Sequence, residues 1–129
     1  MGKRYLIDSN IISKYSNNLI SEQGCLFLED IFDTEILISF ITRIEVLVYS
    51  PSEDSVKLIV NSILEASSQL LMSEEILLKT VEIRRKAKIK LPDAIIAATA
   101  IIHNLTLLSD NDNDFLKVGK LKYINPTKL

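Results

Sequence analysis

Short apolar runs alternate with longer amphipathic segments along the chain, a pattern typical of strands that alternate with helices. The runs Arg4–Ile7, Glu35–Phe40 and Leu105–Leu108 predict three strands. Two weaker strands are predicted at Gln69–Met72 and Tyr123–Ile124. Because strands and helices follow one another in turn, the sequence predicts an α/β fold with a mainly parallel central sheet.

The segments between these runs carry apolar residues at helical spacing. In Glu53–Ala66, for example, Val56, Ile59, Val60 and Ile63 fall on one face of a helix. Such a face is expected to pack on the sheet. The other predicted helices are Asn10–Ser16, Ser21–Phe32, Thr42–Tyr49, a helix capped by Ser73 that runs to about Lys88, and Pro92–His103.

Composition narrows the class of protein. The chain has 129 residues, of which 47% are hydrophobic and 25% charged, as expected for one globular domain spanning residues 1–129. No apolar run reaches the roughly 18 residues that a membrane span needs, so no membrane association is expected. Cys25 is the single cysteine, which suits a reducing compartment, and we expect a cytoplasmic protein.

Acidic residues stand where predicted strands end or where the following helices begin. Asp8 ends the first strand, Glu45 lies early in the helix after the second, and Asp93 opens the apolar helix. In an open parallel sheet these positions share one edge, where ligands bind. Clustered carboxylates repel one another unless they share a cation, and ligands with oxygen alone favour Mg²⁺ or Mn²⁺. Three further acids follow the fourth predicted strand, namely Asp110, Asp112 and Asp114.

Each acid also has an ordinary structural interpretation. Asp8 is suited to cap the helix that follows it. Thr42 and Glu45 have the spacing of a capping box in "TRIE". Asp93 after a proline is a common helix opening, and "SDNDND" at 109–114 has the composition of a polar turn. The argument for a site therefore rests on the joint placement of the acids.

Four blocks of sequence strengthen that argument, namely "YLIDSN", "ITRIEVLVY", "LPDAIIAATAIIHNLTLLS" and "NDF". They resemble the four motifs of the PIN-domain ribonucleases, and most closely those of the VapC-type toxins of toxin–antitoxin pairs. The resemblance spans nearly the whole chain. It implies a PIN-like α/β/α sandwich that cuts RNA with Mg²⁺ or Mn²⁺, forms a homodimer and binds an antitoxin protein.

The resemblance also implies roles for individual residues. Asp8, Glu45 and Asp93 match three acidic positions, as metal ligands and catalytic groups. The fourth position falls on Asn111, and the neighbouring Asp112 is the alternative ligand and catalytic residue. Supporting hydroxyl and amide groups are implied at Ser9, Asn10 and Ser109.

A basic run, "RRKAKIK", precedes Asp93. Such a run is often only the solvated end of a helix, but it also suits contact with RNA phosphates. The formal net charge is −2, yet the remainder is net basic once the acids near the predicted sheet edge are set aside. An acidic site in a mildly basic body suits RNA as a partner. The candidate RNA-binding residues are Arg84, Arg85, Lys86 and Lys88.

Three rival functions remain at this level. A phosphohydrolase with an aspartyl nucleophile wants a second Asp two residues after Asp8, where Asn10 stands. A phospho-acceptor receiver domain wants paired acids after its first strand, and this chain has one. A PIN-like RNA- or protein-binding module with an impaired catalytic site is favoured only by the amide at Asn111.

Overall fold

A computed structural model of the protein describes residues 2–129. Its centre is a sheet of five strands, and every neighbouring pair in that sheet is parallel. The strands lie in the order β3-β2-β1-β4-β5, which confirms the predicted α/β class. They are β1 (Tyr5–Ile7), β2 (Ile36–Ser39), β3 (Ser67–Leu70), β4 (Thr106–Leu108) and β5 (Tyr123–Ile124).

Helices connect the strands, and they lie on both faces of the sheet. Crossovers of this kind are required wherever two consecutive strands run parallel. The helices are α1 (Ser9–Ser16), α2 (Glu22–Phe32), α3 (Phe40–Val48), α4 (Asp54–Ala66), α5 (Glu74–Lys86), α6 (Leu91–Ile102) and the short α7 (Asp112–Phe115), followed by a 3₁₀ turn at Pro126–Lys128.

The alternation of side chains along the central strands divides the core into two layers. Leu6 and Leu107 belong to the layer that includes the buried residues of α5 and α6. Ile7 and Leu108, the next residue of each strand, belong to the layer that includes α1, α2 and α4. Both faces of the sheet are therefore covered, which makes an α/β/α sandwich.

Helix α6 is apolar on nearly every side because it is almost completely enclosed. Ala94, Ala97, Ala98 and Ala100 are each 0% exposed. Their small side chains allow the helix axis to approach its neighbours closely. Close packing here fixes the first turn of the helix, which carries Asp93.

The start of α3 differs from the sequence prediction. The helix begins at Phe40, and the side chain of Ser39 caps it by accepting from the backbone N–H of Ile41. Thr42 is buried inside the helix and caps nothing. The capping-box interpretation of "TRIE" is therefore wrong, and Glu45 lies beyond the first turn.

Two other segments also differ from the predictions. Strand β3 lies at Ser67–Leu70, two residues before the predicted position, and it is only partly buried. The polar turn predicted at 109–114 ends in the helical turn α7. The boundaries of weakly apolar or strongly polar segments depend on contacts with other elements, and the local sequence pattern does not show those contacts.

Within residues 2–129, no helix combines the length and the apolar character needed to cross a membrane.

Candidate active site

Asp8 lies at the carboxyl end of β1, in the middle of the sheet, and is 3% exposed. Its Oδ1 accepts from the backbone N–H of Ser9 at 2.9 Å, so it caps α1. Its Oδ2 accepts from the Ser109 hydroxyl at 2.8 Å and from the Asn10 side-chain amide at 3.1 Å. The capping interpretation is therefore correct, and the same carboxylate also takes part in a wider polar network.

Ser109 and Asn10 join the ends of the two central strands. The Asn10 side chain donates to the Ser109 hydroxyl at 3.1 Å and accepts from the backbone N–H of Asp110 at 3.3 Å. The backbone N–H of Asn111 in turn donates to the Ser109 hydroxyl at 3.2 Å. These bonds hold the loop after β4 against the start of α1.

Asp8 is costly to ionise in this position. Burial raises its pKa to about 6, although hydrogen bonds from Ser109 and Ser9 act in the opposite direction. The negative charges of Glu45 and Asp110 raise it further. A carboxyl group whose pKa is raised to about 6 is unusual for a helix cap, and such shifts are typical of functional sites.

Asp93 is partly buried in the first turn of α6. Its Oδ2 accepts from the side-chain amide of Asn111 at 3.2 Å, and the same amide donates to Asp114 Oδ2 at 3.1 Å. Burial, the hydrogen bond with Asp114 and the charges of Asp8, Asp114 and Glu45 raise the pKa of Asp93 to about 7. Four acids from four segments of the chain therefore share one electrostatic environment.

Glu45 lies at the exposed side of this group. Its Oε1 accepts from the Ser9 hydroxyl at 3.0 Å, which links α3 to the first residue of α1. Within residues 2–129, its second carboxylate oxygen has no hydrogen-bond donor, so it faces solvent beside the acids. This places Ser9, the third predicted supporting residue, between Asp8 and Glu45.

Asp112 is held elsewhere. One oxygen accepts from the Tyr123 hydroxyl at 2.5 Å and from the Asn125 side chain at 3.0 Å, and the other pairs with Lys128. These partners lower the pKa of Asp112 to about 2. Asp112 is therefore bound by the C-terminal segment and does not belong to the acidic group. In the helical turn α7 its side chain points to the opposite side from that of Asp114.

Asp114 is the residue that the sequence interpretation did not select. Asn111 and Asp114 are three residues apart, and this spacing places two side chains on one face of a helical turn. The "NDF" block contained the signal, but it is informative only once α7 is known to be helical. Asp110 also has a partner outside the acidic group, since it forms an ion pair with Lys14.

The predicted basic run ends close to the acids. Lys117 donates to the backbone carbonyl of Lys88 at 3.2 Å, and its ammonium lies 3.9 Å from Asp114 Oδ1. Arg84 donates through Nε to the backbone carbonyl of Ile89 at 3.2 Å, which stabilises the connection between α5 and α6. Arg85 and Lys86 are exposed at the end of α5.

The chemistry of these side chains fits a hard divalent cation. The available donors near Asp8 and Asp93 are carboxylate, amide and hydroxyl oxygens, which Mg²⁺ and Mn²⁺ prefer. Burial and, to a smaller extent, neighbouring negative charges raise the pKa of both acids, and a bound cation would favour their ionised forms. Within residues 2–129, however, no three acidic, histidine or cysteine side chains already converge as a metal-binding group. Amide and hydroxyl donors hold the carboxylates instead.

Comparison with known proteins agrees with this architecture. The PIN-domain family model matches residues 5–121, so the chain belongs to the PIN-domain family. Its fold is similar to those of VapC-type toxins in solved toxin–antitoxin structures. None of the curated proteins compared with the chain matches it.

Three solved structures illustrate the similarity. A toxin–antitoxin complex from Klebsiella pneumoniae has a chain 29% identical, with a TM-score of 0.75 and coverage of 95% of this chain and 97% of that one. FitAcB from Neisseria gonorrhoeae has a chain 26% identical, with a TM-score of 0.77 and coverage of 97% and 99%. VapBC2 from Rickettsia felis, bound to a promoter DNA fragment, has a chain 22% identical, with a TM-score of 0.77 and coverage of 94% and 97%.

Proposed function

We propose that this protein is a metal-dependent endoribonuclease and acts as the toxin of a toxin–antitoxin pair. The observation that carries the proposal is the joint position of Asp8 and Asp93. Each is held by polar donors at the carboxyl edge of a parallel sheet, and each has a pKa raised towards neutrality. Membership of the PIN-domain family and similarity to VapC-type toxins support the same class of activity.

Asp8, Asp93 and Asp114 are the proposed metal-binding carboxylates, with Asn111 beside them. Ser109 and Asn10 both donate to Asp8 Oδ2 and the backbone N–H of Ser9 donates to Oδ1, so the carboxylate is already oriented before a ligand binds. The side-chain amide of Asn111 donates to both Asp93 and Asp114 and so holds the two carboxylates near each other. A bound Mg²⁺ or Mn²⁺ supplies Lewis acidity that stabilises charge on the phosphodiester and favours ionisation of water.

Glu45 is the proposed group that orients the attacking water. Ser9 holds one of its oxygens, and the other is free to accept a proton from water. The only histidine, His103, lies at the opposite end of α6 from Asp93. Since this imidazole lies away from the acids and is not placed to activate a ribose 2′-hydroxyl there, we expect water to attack phosphorus and leave a 5′-phosphate and a 3′-hydroxyl.

The test is cleavage of single-stranded and structured RNA by the wild type and by Asp8→Asn and Asp93→Asn. We expect both variants to lose cleavage and to remain folded, with metal-free stability unchanged or higher because charge repulsion is removed. Asp30→Asn is the matched control, since Asp30 is exposed on α2. EDTA should stop wild-type cleavage, and Mg²⁺ or Mn²⁺ should restore it.

Two results would contradict the proposal. Cleavage that persists undiminished in EDTA would exclude the metal mechanism. A variant that loses its thermal transition while it keeps cleavage would show that the residue is structural. RNA binding without cleavage under any metal condition would instead support a binding module with an impaired site.

The end of α5 is the proposed entry for RNA. Arg85, Lys86 and Lys88 are exposed, and Lys88 is joined through Lys117 to the vicinity of Asp114. Phosphate contacts at this distance from the carboxylates position a strand without reading its sequence. Arg84 contributes its charge, although its Nε is used by the backbone of Ile89.

An antitoxin protein and a second copy of the chain are the proposed protein partners. Large aliphatic side chains are exposed on neighbouring helices, with Leu47 at 61%, Val48 at 77% and Leu58 at 69%. Leu47 lines a cavity together with Val60 and Leu64 of α4. Exposed apolar surface of this kind marks interfaces. The similar Klebsiella pneumoniae structure is described as a toxin–antitoxin complex.

Light scattering tests the partner proposal. We expect a dimer, or a complex with the product of an adjacent gene, in the cytoplasm of the source cell. Leu58→Glu should weaken that assembly, while the matched control Leu71→Glu, at a residue 63% exposed outside these helices, should not. A monomer at high concentration that binds no adjacent-gene product would contradict it.

A further inference from the structure

One cavity of the protein shares Lys117 with the surroundings of the candidate active site. It measures about 150 Å³ and is formed between α5 and the segment that follows α7. Its apolar lining comes from Ile83, Ala87, Ile101 and Val118. Four lysines also line it, namely Lys79, Lys86, Lys117 and Lys120.

The charge of this cavity is opposite to that of the chain as a whole. Lys79 and Lys86 are seven residues apart on α5, a spacing that places both on one face. Glu82 lies between them and is the only acid in the lining, at 2.5 Å from Lys79 and 3.5 Å from Lys86. Lys117 also has Asp114 as a partner, but two carboxylates cannot neutralise four ammonium groups. The cavity therefore presents net positive charge in a protein of net charge −2.

Lys117 joins this cavity to the acidic site. It lines the cavity, and its ammonium lies 3.9 Å from Asp114 Oδ1. A polyanionic chain that reaches the carboxylates therefore meets the lysines next. Within residues 2–129, Lys120 forms no ion pair, so its charge is available to a ligand.

We propose that this cavity is an accessory nucleotide-binding subsite that holds one nucleotide of a single-stranded RNA, next to the strand's cleavage point. The inference rests on the proposed ribonuclease function and extends it to substrate recognition. The lysines contact the flanking phosphates, and the aliphatic lining contacts a base. Because the lining has no aromatic ring and no base-specific donor pair, recognition is expected to be independent of sequence.

With such a subsite, the effect of the lysines should depend on the length of the RNA strand. A dinucleotide spans only the carboxylate site, whereas a longer strand also occupies the subsite. Loss of the subsite should therefore raise KM for long RNA and leave kcat nearly unchanged. It should have little effect on a dinucleotide.

The test uses the double variant Lys79→Ala/Lys120→Ala, since both residues line the cavity and neither belongs to the proposed RNA entry at the end of α5. Affinity is measured in the cleavage-deficient Asp8→Asn background with a labelled single-stranded RNA of about 12 nucleotides, long enough for such a site. Each phosphate contact on a single strand contributes about −0.7 to the slope of log affinity against log salt. The double variant should therefore bind at least tenfold more weakly and lose roughly 1.4 from the magnitude of that slope.

Two further variants make the result decisive. Lys79→Arg/Lys120→Arg keeps both charges and should retain the wild-type slope. Lys3→Ala/Lys57→Ala removes two lysines outside the cavity and should leave both affinity and slope unchanged. Equal affinity and slope for the alanine double variant and its background would overturn the subsite while leaving the cleavage activity in place. Failure of the wild type both to bind and to cleave RNA would overturn the subsite and the proposed function together.

Discussion

The side-chain amide of Asn111 donates to Asp93 Oδ2 over 3.2 Å and thereby joins the loop after β4 to the first turn of α6. The same nitrogen donates to Asp114 at 3.1 Å. Asn111 thus bridges two neighbouring carboxylates and donates a hydrogen bond to each, which reduces the repulsion between them. An amide at this position stabilises the metal-free protein, whereas an acid there would favour the metal-bound form.

The first prediction follows from that role. Asn111→Asp replaces the donor with a third negative charge, so we expect the metal-free protein to lose about 1–3 kcal/mol of unfolding free energy. The same variant should bind Mn²⁺ more tightly than the wild type. Thermal unfolding in EDTA and calorimetric Mn²⁺ titration measure the two effects. Asn113→Asp is the control, since Asn113 is exposed on α7, and an equal effect there would contradict the prediction.

The second prediction separates Asp114 from Asp112. Asp114→Asn removes charge from the acidic group and should weaken Mn²⁺ binding by about 1–3 kcal/mol. Asp112→Asn should change Mn²⁺ affinity by less than about 0.5 kcal/mol and instead lower the Tm, because its bonds to Tyr123, Asn125 and Lys128 are weakened. Calorimetry and thermal melts on both variants decide between them. If Asp112→Asn weakens Mn²⁺ binding more than Asp114→Asn does, the assignment drawn from the structure is wrong.

The third prediction concerns pH in the absence of metal. The pKa values of Asp8 and Asp93 are raised from 3.8 to about 6 and about 7, so the folded state holds protons that the unfolded state has released. The contribution of these two protonated groups to the free energy of unfolding is fully present below about pH 4 and is lost as pH rises through 6 and 7. Asp8 alone contributes about 3 kcal/mol at most to this loss, at 1.36 kcal/mol for each pH unit.

Urea unfolding in EDTA across that pH range measures the effect. Asp8→Asn should flatten the profile, and saturating Mn²⁺ should reverse its slope because a cation favours the ionised acids. The Asp30→Asn variant should keep the wild-type profile. A metal-free profile that rises from pH 4 to 7 would show that neither acid is protonated in the folded protein.

The fourth prediction concerns the anchoring of the C-terminal segment. A Cβ atom added at Gly24 would lie 2.6 Å from the carbonyl oxygen of Pro126 and 2.5 Å from Ile20 Cγ2. Gly24→Ala must therefore shift the turn that carries Lys128, and we expect a loss of about 1–3 kcal/mol, typical of overpacking. Gly119→Ala meets nothing within 4 Å and is the control in thermal melts. Equal Tm values for both variants would contradict the prediction.

Much of the fold could be predicted from sequence because its signals are local. The apolar runs at β1, β2 and β4 and the enclosed helix α6 are long or strongly apolar, and each was located to within two residues. The short, partly buried β3 was displaced by two residues, since four residues of weak apolar character do not fix a register. The start of α3 was displaced because Ser39 and Thr42 are both good caps, and packing selects Ser39.

The sequence by itself determined the class of the protein and the position of its candidate site. Alternating strands and helices require a parallel sheet, and Asp8, Glu45 and Asp93 follow that sheet's carboxyl edge. Only the tertiary structure decided which acid of 109–114 joins them. That choice depends on the direction of α7, and α7 is held by Tyr123, Asn125 and Lys128, which are distant in sequence from the other acids. A four-residue helical turn has too few internal hydrogen bonds to set its own orientation, so contacts from elsewhere in the chain determine it.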